Sequence, residues 1–214
     1  MSNSLKAHLA LLAANLIYSA SFVIAKDAML SIAPSGFVLI RVSGACIMYW
    51  LLAGMFTKEK MERKDIIKAA LLGLFGVSTN QLFFLNGLHL TSPINAAILM
   101  VTSPILVLII SSIMVKEKIN FTNIGGILIG FIGAALLLLV KKDNAEGTGT
   151  LKGDVFIFIN ALSWGIYLVL AKPLMKKYNT ITLLKWAFLF GCIYVTPFGL
   201  GDVCLLYTSP SPRD

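Results

Sequence analysis

The feature that most limits what this chain can become is a succession of apolar runs, each about 20 residues long, parted by short polar connections. In hydrocarbon a backbone has no water to bond, so a run of that length satisfies its own N–H and C=O groups only as a helix. Seven windows meet the requirement: Ala7 to Lys26, Pro34 to Phe56, Ile66 to Leu88, Ser92 to Val115, Phe121 to Val140, Leu151 to Lys172 and Ile181 to Gly201. Composition agrees, because 57% of the 214 residues are hydrophobic and 13% charged, with a mean hydropathy of +0.85. That is more apolar surface than a water-soluble domain of this size buries. The expected fold is therefore an all-α, multi-pass membrane protein with the lipid bilayer as its solvent. The first run exceeds a signal-peptide core and no small-residue cleavage pattern follows it, so it is expected to remain as a span.

A net charge of +8 raises the question of nucleic acid. The basic residues, however, sit in short loops between apolar runs and form no stripe interleaved with aromatics, so no nucleic-acid partner is expected. They read as topology signals instead. With the N-terminus in the cytoplasm, Lys6, Lys58, Lys60, Arg63, Lys64, Lys68, Lys116, Lys118, Lys172, Lys176 and Lys177 fall inside, against Lys26, Lys141, Lys142 and Lys152 outside. Positive-inside bias favours that orientation in a cell (plasma or inner) membrane. Cys46, Cys192 and Cys204 have no paired spacing, and His8 and His89 form no motif with them, so neither a disulfide framework nor a metal or other cofactor is expected. A membrane enzyme is the rival reading; the chain shows no HExxH or GxSxG and no paired nucleophile and base. A small multidrug subunit acting as a dimer is a third, against which stand the chain length and the first run's lack of an acidic residue. Oligomeric state is left open.

The chain also repeats itself. A shift of 146 residues lays Ala14 to Lys26 on Asn160 to Lys172, pairing Leu16 with Leu162, Val23 with Val169, Ala25 with Ala171 and Lys26 with Lys172. Tyr18 then falls on Trp164 and Ser19 on Gly165. Five spans separate the copies, so the second enters from the other side of the membrane, the inverted-repeat plan of many secondary transporters. The expected boundaries are a first five-helix repeat over 1–142, a loop over 143–150 and the opening two helices of a second repeat over 151–203. From Cys204 the sequence CLLYTSPSPRD abandons the pattern. A reading frame that encodes it looks like a transposase sequencing adapter, and 204–214 is expected to be adapter-derived, with the gene running on.

From Gly73 to Leu138 a Gly-rich third run leads through Leu88, His89, Leu90, Thr91 and Ser92 into a run with a central Pro104 that ends at Glu117 and Lys118. Gly126, Gly130 and Gly133 follow at small-residue spacing. With the aromatic-plus-lysine first run and Arg41 in the second, this order resembles the EamA-type unit of the drug/metabolite transporter superfamily, over nearly the whole chain to about Gly201. One departure is Tyr18-Ser19 where many relatives carry Trp-Gly, the pair found here as Trp164-Gly165. The resemblance implies ten helices in two inverted five-helix repeats around a central cavity, and export or exchange of small metabolites.

Asn15, Tyr18, Ser19, Phe22 and Lys26 share one face of the first helix at i, i+3, i+4, i+7 and i+11. That face is either a wall of a substrate cavity or a polar helix-packing seam. Lys26 stands near the outer boundary, where snorkelling is the favoured reading. Arg41 is about 10 Å inside the second span, and an intramembrane arginine faces protein or water rather than lipid. Lys185 has comparable depth at the opposite face, so cations at both mouths point to anionic or zwitterionic small-molecule substrates. Asn80, Gln81 and Asn95, with Ser78, Asn86, Thr102 and Ser103, add donors and acceptors in the third and fourth spans, and Trp164 does so in the sixth. Pro104 predicts a bend and a cavity wall. Asp27, Asp154 and Asp202 all lie near span ends, so no mid-membrane carboxylate is visible for proton coupling.

Overall fold

The computed structural model describes residues 3–57, 59–100, 103–115, 124–126, 128, 129, 132 and 150–208. Its elements are α1 (Asn3–Ala28), α2 (Pro34–Phe56), α3 (Arg63–Leu72), a π-helical segment (Gly73–Thr79), α4 (Asn80–Leu90), α5 (Pro93–Met100), α6 (Ser103–Val115), α7 (Leu151–Met175) and α8 (Thr180–Thr208). Among the described residues five helices are long and apolar enough to cross a membrane: Pro34–Phe56, Arg63–Leu90, Asn95–Val115, Leu151–Met175 and Thr180–Leu205. α1 covers the first expected span, with an apolar stretch at His8–Ile17. Most of the fifth expected span, Phe121 to Val140, lies outside the described residues, although 124–126, 128, 129 and 132 are helical. α8 continues to Thr208, seven residues beyond the expected end at Gly201.

Local chemistry sets the helix starts. α2 opens on Pro34, whose missing N–H is an orphan at a first helical position in any case. α7 opens on Thr150, whose hydroxyl accepts from Gly153 N at 3.2 Å, and Asp154 sits in its positively polarised first turn. The end of α4 is closed by groups from elsewhere. Lys26 Nζ donates to Leu88 O at 2.9 Å and Thr91 O at 3.3 Å, and Thr150 donates through its backbone N and its hydroxyl to Leu90 O. A cation beside carbonyls that have run out of helical partners is favourable twice, by hydrogen bond and by helix dipole.

These contacts sort the bundle into two ends. One gathers Lys26, Gly36, the end of α4, the start of α7 and Asp202, with Thr91 donating to Asp154 at 2.9 Å and Gly36 N to Asp202 at 3.2 Å. The other gathers residues 57, 59–65 and 177–182. There Asp65, 2% exposed, accepts from Lys68 at 2.8 Å, Lys177 at 2.8 Å and the Tyr178 hydroxyl at 2.9 Å, while Lys177 also reaches Glu62 at 2.6 Å. Asp65, then Glu62, hold the Lys177 ammonium above the usual lysine range. It follows that α1 and α7, the two copies of the sequence repeat, run in opposite directions, as do α2 and α8.

The helix from Arg63 to Leu90 is the hub. α2 packs on α8 and α4; α7 packs on α4, the π-helical segment and α6; α8 packs on α2, α3 and the π-helical segment. One apolar cluster, including Val38, Val42, Leu85, Leu88, Ile157 and Val195, fills the Lys26 end; a second, with Met61, Leu72, Leu174, Tyr178 and Leu183, fills the Asp65 end. The outer surface is apolar, with Leu16, Ile17, Ile47, Leu51, Ile113 and Ile193 all exposed, which suits a lipid solvent.

The π-helical segment fits its neighbours only because glycine brings no side chain. A Cβ on Gly73 would lie 2.6 Å from Ala187 O, and one on Gly76 would run into the Tyr167 ring. Gly44 on α2 has open space around it. Gly76→Ala is therefore expected to lower bundle stability by about 1–3 kcal/mol, the usual cost of overpacking. Gly44→Ala is expected to be neutral or slightly stabilising, since it removes only glycine's excess chain entropy. Thermal unfolding of the two variants in one detergent compares them directly; equal melting temperatures would refute the close-approach argument.

Candidate functional site

Between the two apolar clusters lies a cavity of about 560 Å³. It is walled by α1 (Ser21), α2 (Arg41), the π-helical segment and α4 (Gly76, Val77, Asn80, Gln81, Phe84), α5 and α6 (Met100, Ser103, Pro104), α7 (Asn160, Trp164, Tyr167) and α8 (Leu184, Ala187, Phe188). Val77 and Phe84 belong also to the cluster at the Lys26 end, and Ala187 to the one at the Asp65 end. The cavity is thus floored and roofed by packed hydrocarbon. Its polar content is one guanidinium, several amides and hydroxyls, and aromatic faces; the lining holds no carboxylate among the described residues.

The π-helical segment explains the polar wall. A widened turn leaves carbonyls without their usual i+4 donors, and each such group costs about 1–3 kcal/mol if left unpaired away from water. Two α7 side chains three residues apart supply the bonds. Asn160 Nδ2 donates to Asn80 O at 2.8 Å and Ser163 Oγ to Phe75 O at 2.6 Å. Since Asn80 O can only accept, the Asn160 amide must present its NH2 there, which fixes the opposite position of Oδ1. Trp164 stacks on Tyr167 at 5.1 Å and 26°, and the Tyr167 ring lies on Gly76. Arg41 has its Cζ 5.6 Å from the Phe37 ring centroid, within cation–π range.

Of the residues singled out from sequence, Arg41, Asn80, Gln81, Ser103, Pro104 and Trp164 meet in this lining. The other described candidates lie elsewhere. Asn15 donates to Leu11 O on an exposed part of α1, and Asn95 takes part in the first turn of α5, where its N–H bonds Ser92 Oγ. Lys185 sits 5.3 Å over the Trp50 ring at the α2–α8 seam, and Lys26 caps α4. The side chains of Tyr18, Ser19 and Phe22 lie outside the described residues. Sequence reasoning did not single out Asn160, Tyr167, Phe84 or Phe188. Asn160 opens the repeat copy, and an amide opposite alanine at the repeat-equivalent Ala14 was the available signal.

Long apolar helices around a partly polar cavity are the build of a multi-pass membrane transporter. The EamA-like transporter family model matches residues 5–139 and 151–206, and the chain belongs to that family. An uncharacterized transporter of Archaeoglobus fulgidus is 30% identical over 200 residues, covering 91% of this chain and 67% of the relative. The uncharacterized transporter YyaM of Bacillus subtilis is 29% identical over 196 residues (88% of this chain, 63% of the relative). The WAT1-related protein At4g30420 of Arabidopsis thaliana is 27% identical over 201 residues (78% and 54%). A solved crystal structure of a protein superposes with a TM-score of 0.59 at 18% identity, covering 89% of this chain and 63% of that one, and shares the fold. The chain spans about half to two-thirds of the length of the curated relatives it matches first.

Lys26 gives the site's clearest test of a structural against a binding role. Lys26→Met is expected to lower the melting temperature, because Leu88 O and Thr91 O lose a donor. The ratios of uptake rates among different solutes should stay unchanged in the complete gene product. Altered ratios with wild-type stability would place Lys26 in the solute path instead.

Proposed function

We propose that this chain carries the solute-binding part of a secondary transporter for small metabolites, anionic or zwitterionic and amino-acid-like or drug-like, moved by export or exchange. The observation that carries the reading is the single guanidinium in a mid-bundle cavity whose described lining has no carboxylate. In a low-dielectric cavity a guanidinium offsets much of the cost of taking an anionic group out of water, so the site favours solutes that bring one. The aromatic rings and amides fix the rest of the solute without demanding one shape, which fits a family with broad substrates. The lysine distribution supports a cytoplasmic N-terminus, and a cell membrane is the location in this reading. The opposite directions of α1 and α7 and of α2 and α8 support two inverted repeats, with 1–142 as the first, 143–150 as the loop and 151–203 within the second; 204–214 is assigned no role.

The test is uptake of a panel of small carboxylates and zwitterions into liposomes holding the complete gene product. Arg41→Gln is expected to lower uptake at least about tenfold, the size of one charge-assisted hydrogen bond to the solute, with partial recovery in Arg41→Lys. Unchanged uptake across the panel by Arg41→Gln at wild-type stability would remove the basis for an anion-preferring site.

A further inference from the structure

Two buried side-chain polar atoms among the described residues have no hydrogen-bond partner: Asn160 Oδ1 and Ser103 Oγ. Both residues line the same cavity, and they come from α7 and α6, which pack together. Asn160 is 1% and Ser103 9% exposed, so water does not satisfy them as it would surface groups. A partnerless polar atom is a rarity that asks for a reason. Chance is a poor one when both cases fall in one wall.

The Asn160 amide cannot resolve its own deficit by turning over. Its NH2 is held by Asn80 O in the wall of the π-helical segment, and a flip would set two acceptors against each other. Its Oδ1 is therefore a fixed acceptor, locked in orientation by the very contact that stabilises the widened turn. From α6, in the same lining, the Ser103 hydroxyl can accept through its lone pairs.

We infer that Asn160 Oδ1 and Ser103 Oγ form a subsite for an N–H donor on the solute, separate from Arg41 on α2. This rests on the transporter reading and narrows it. An anion alone would engage Arg41, and it can accept from the Ser103 hydroxyl, but it leaves Asn160 Oδ1 stranded; a molecule bearing both a carboxylate and an amine satisfies Asn160 Oδ1 as well. Because no described lining residue supplies a carboxylate, an ammonium entering here brings its own counter-charge, which makes the zwitterion the matching class.

The test uses the complete gene product, purified in detergent, and matched pairs of probes that differ only in the amine: alanine against propanoate, leucine against 4-methylpentanoate, and phenylalanine against 3-phenylpropanoate. Binding is read by tryptophan fluorescence, Trp164 being in the wall. For at least one skeleton the amine-bearing member is expected to bind at least about tenfold tighter, as a site built to hydrogen-bond a donor rejects the analogue lacking it. Asn160→Leu should reduce that preference to about twofold or less. Since this variant also strands Asn80 O, Ser103→Ala is the companion: it removes a hydroxyl without a partner, so it should melt no lower than wild type while losing part of the amine preference. Carboxylates that bind equally with and without the amine, or a preference intact in both variants, would overturn the subsite and leave the Arg41 cavity standing. Absence of binding by any probe would overturn both.

Discussion

A polar backbone group inside a bilayer has no water to turn to, and where this bundle's hub helix widens, two carbonyls take a donor from a neighbouring helix. Phe75 O lies within the widened turn at Gly73–Thr79 and Asn80 O directly follows it, and they accept from Ser163 and Asn160 of α7. Those bonds require α7 to lie close along the hub helix, which the absence of a side chain at Gly76 permits, while Gly73 in the same way admits α8. With α7 so placed, Trp164 and Tyr167 form one cavity wall and α6 is carried in beside them. The cavity is a consequence of where the wide turn leaves space.

Much of this was legible in the sequence, and the limit is physical. Span positions were readable because hydrocarbon enforces self-satisfied helices, and signals such as Pro34 and Leu151 mark two starts to the residue. The inverted run of the repeat was readable from span counting, and the structure places α1 against α7 in opposite directions. The π-helical segment was not, since no local pattern distinguishes a widened turn from an ordinary one; the glycines at 73 and 76 were visible without their meaning. Arg41, Asn80, Gln81 and Trp164 were found because intramembrane polarity is conspicuous. Asn160 was missed because its role depends on a carbonyl 80 residues away.

Lys26 shows how a conspicuous residue can serve the fold. It shares a helical face with polar and aromatic neighbours, and its place near the outer boundary favours snorkelling. In the fold its ammonium is used up on Leu88 O and Thr91 O, where the third span ends and the helix dipole is negative. Lys185 is similarly engaged with an aromatic face. Arg41, whose guanidinium also lies within cation–π range of Phe37, is the cation in the described lining.

The two ends of the cavity are closed by different means, and the difference bears on movement. At the Lys26 end the contacts between loops are largely neutral or capping, and Gly36 N to Asp202 is representative. At the other end an ionic cluster joins the segment before α3 to the α7–α8 turn, above a dry layer that includes Leu72, Leu174 and Leu183. Ion pairs whose lysines are 42% and 60% exposed exchange readily with water and contribute little as a barrier. The apolar layer is what keeps water and solute out, because opening it exposes hydrocarbon at about 25 cal/mol per Å². Opening that end parts Leu72 on α3 from Leu174 on α7 and Leu183 on α8, so it separates α3 from both of those helices. Ala187 on α8 belongs both to that layer and to the cavity wall, so the packing of the layer and the shape of the cavity are joined through one helix.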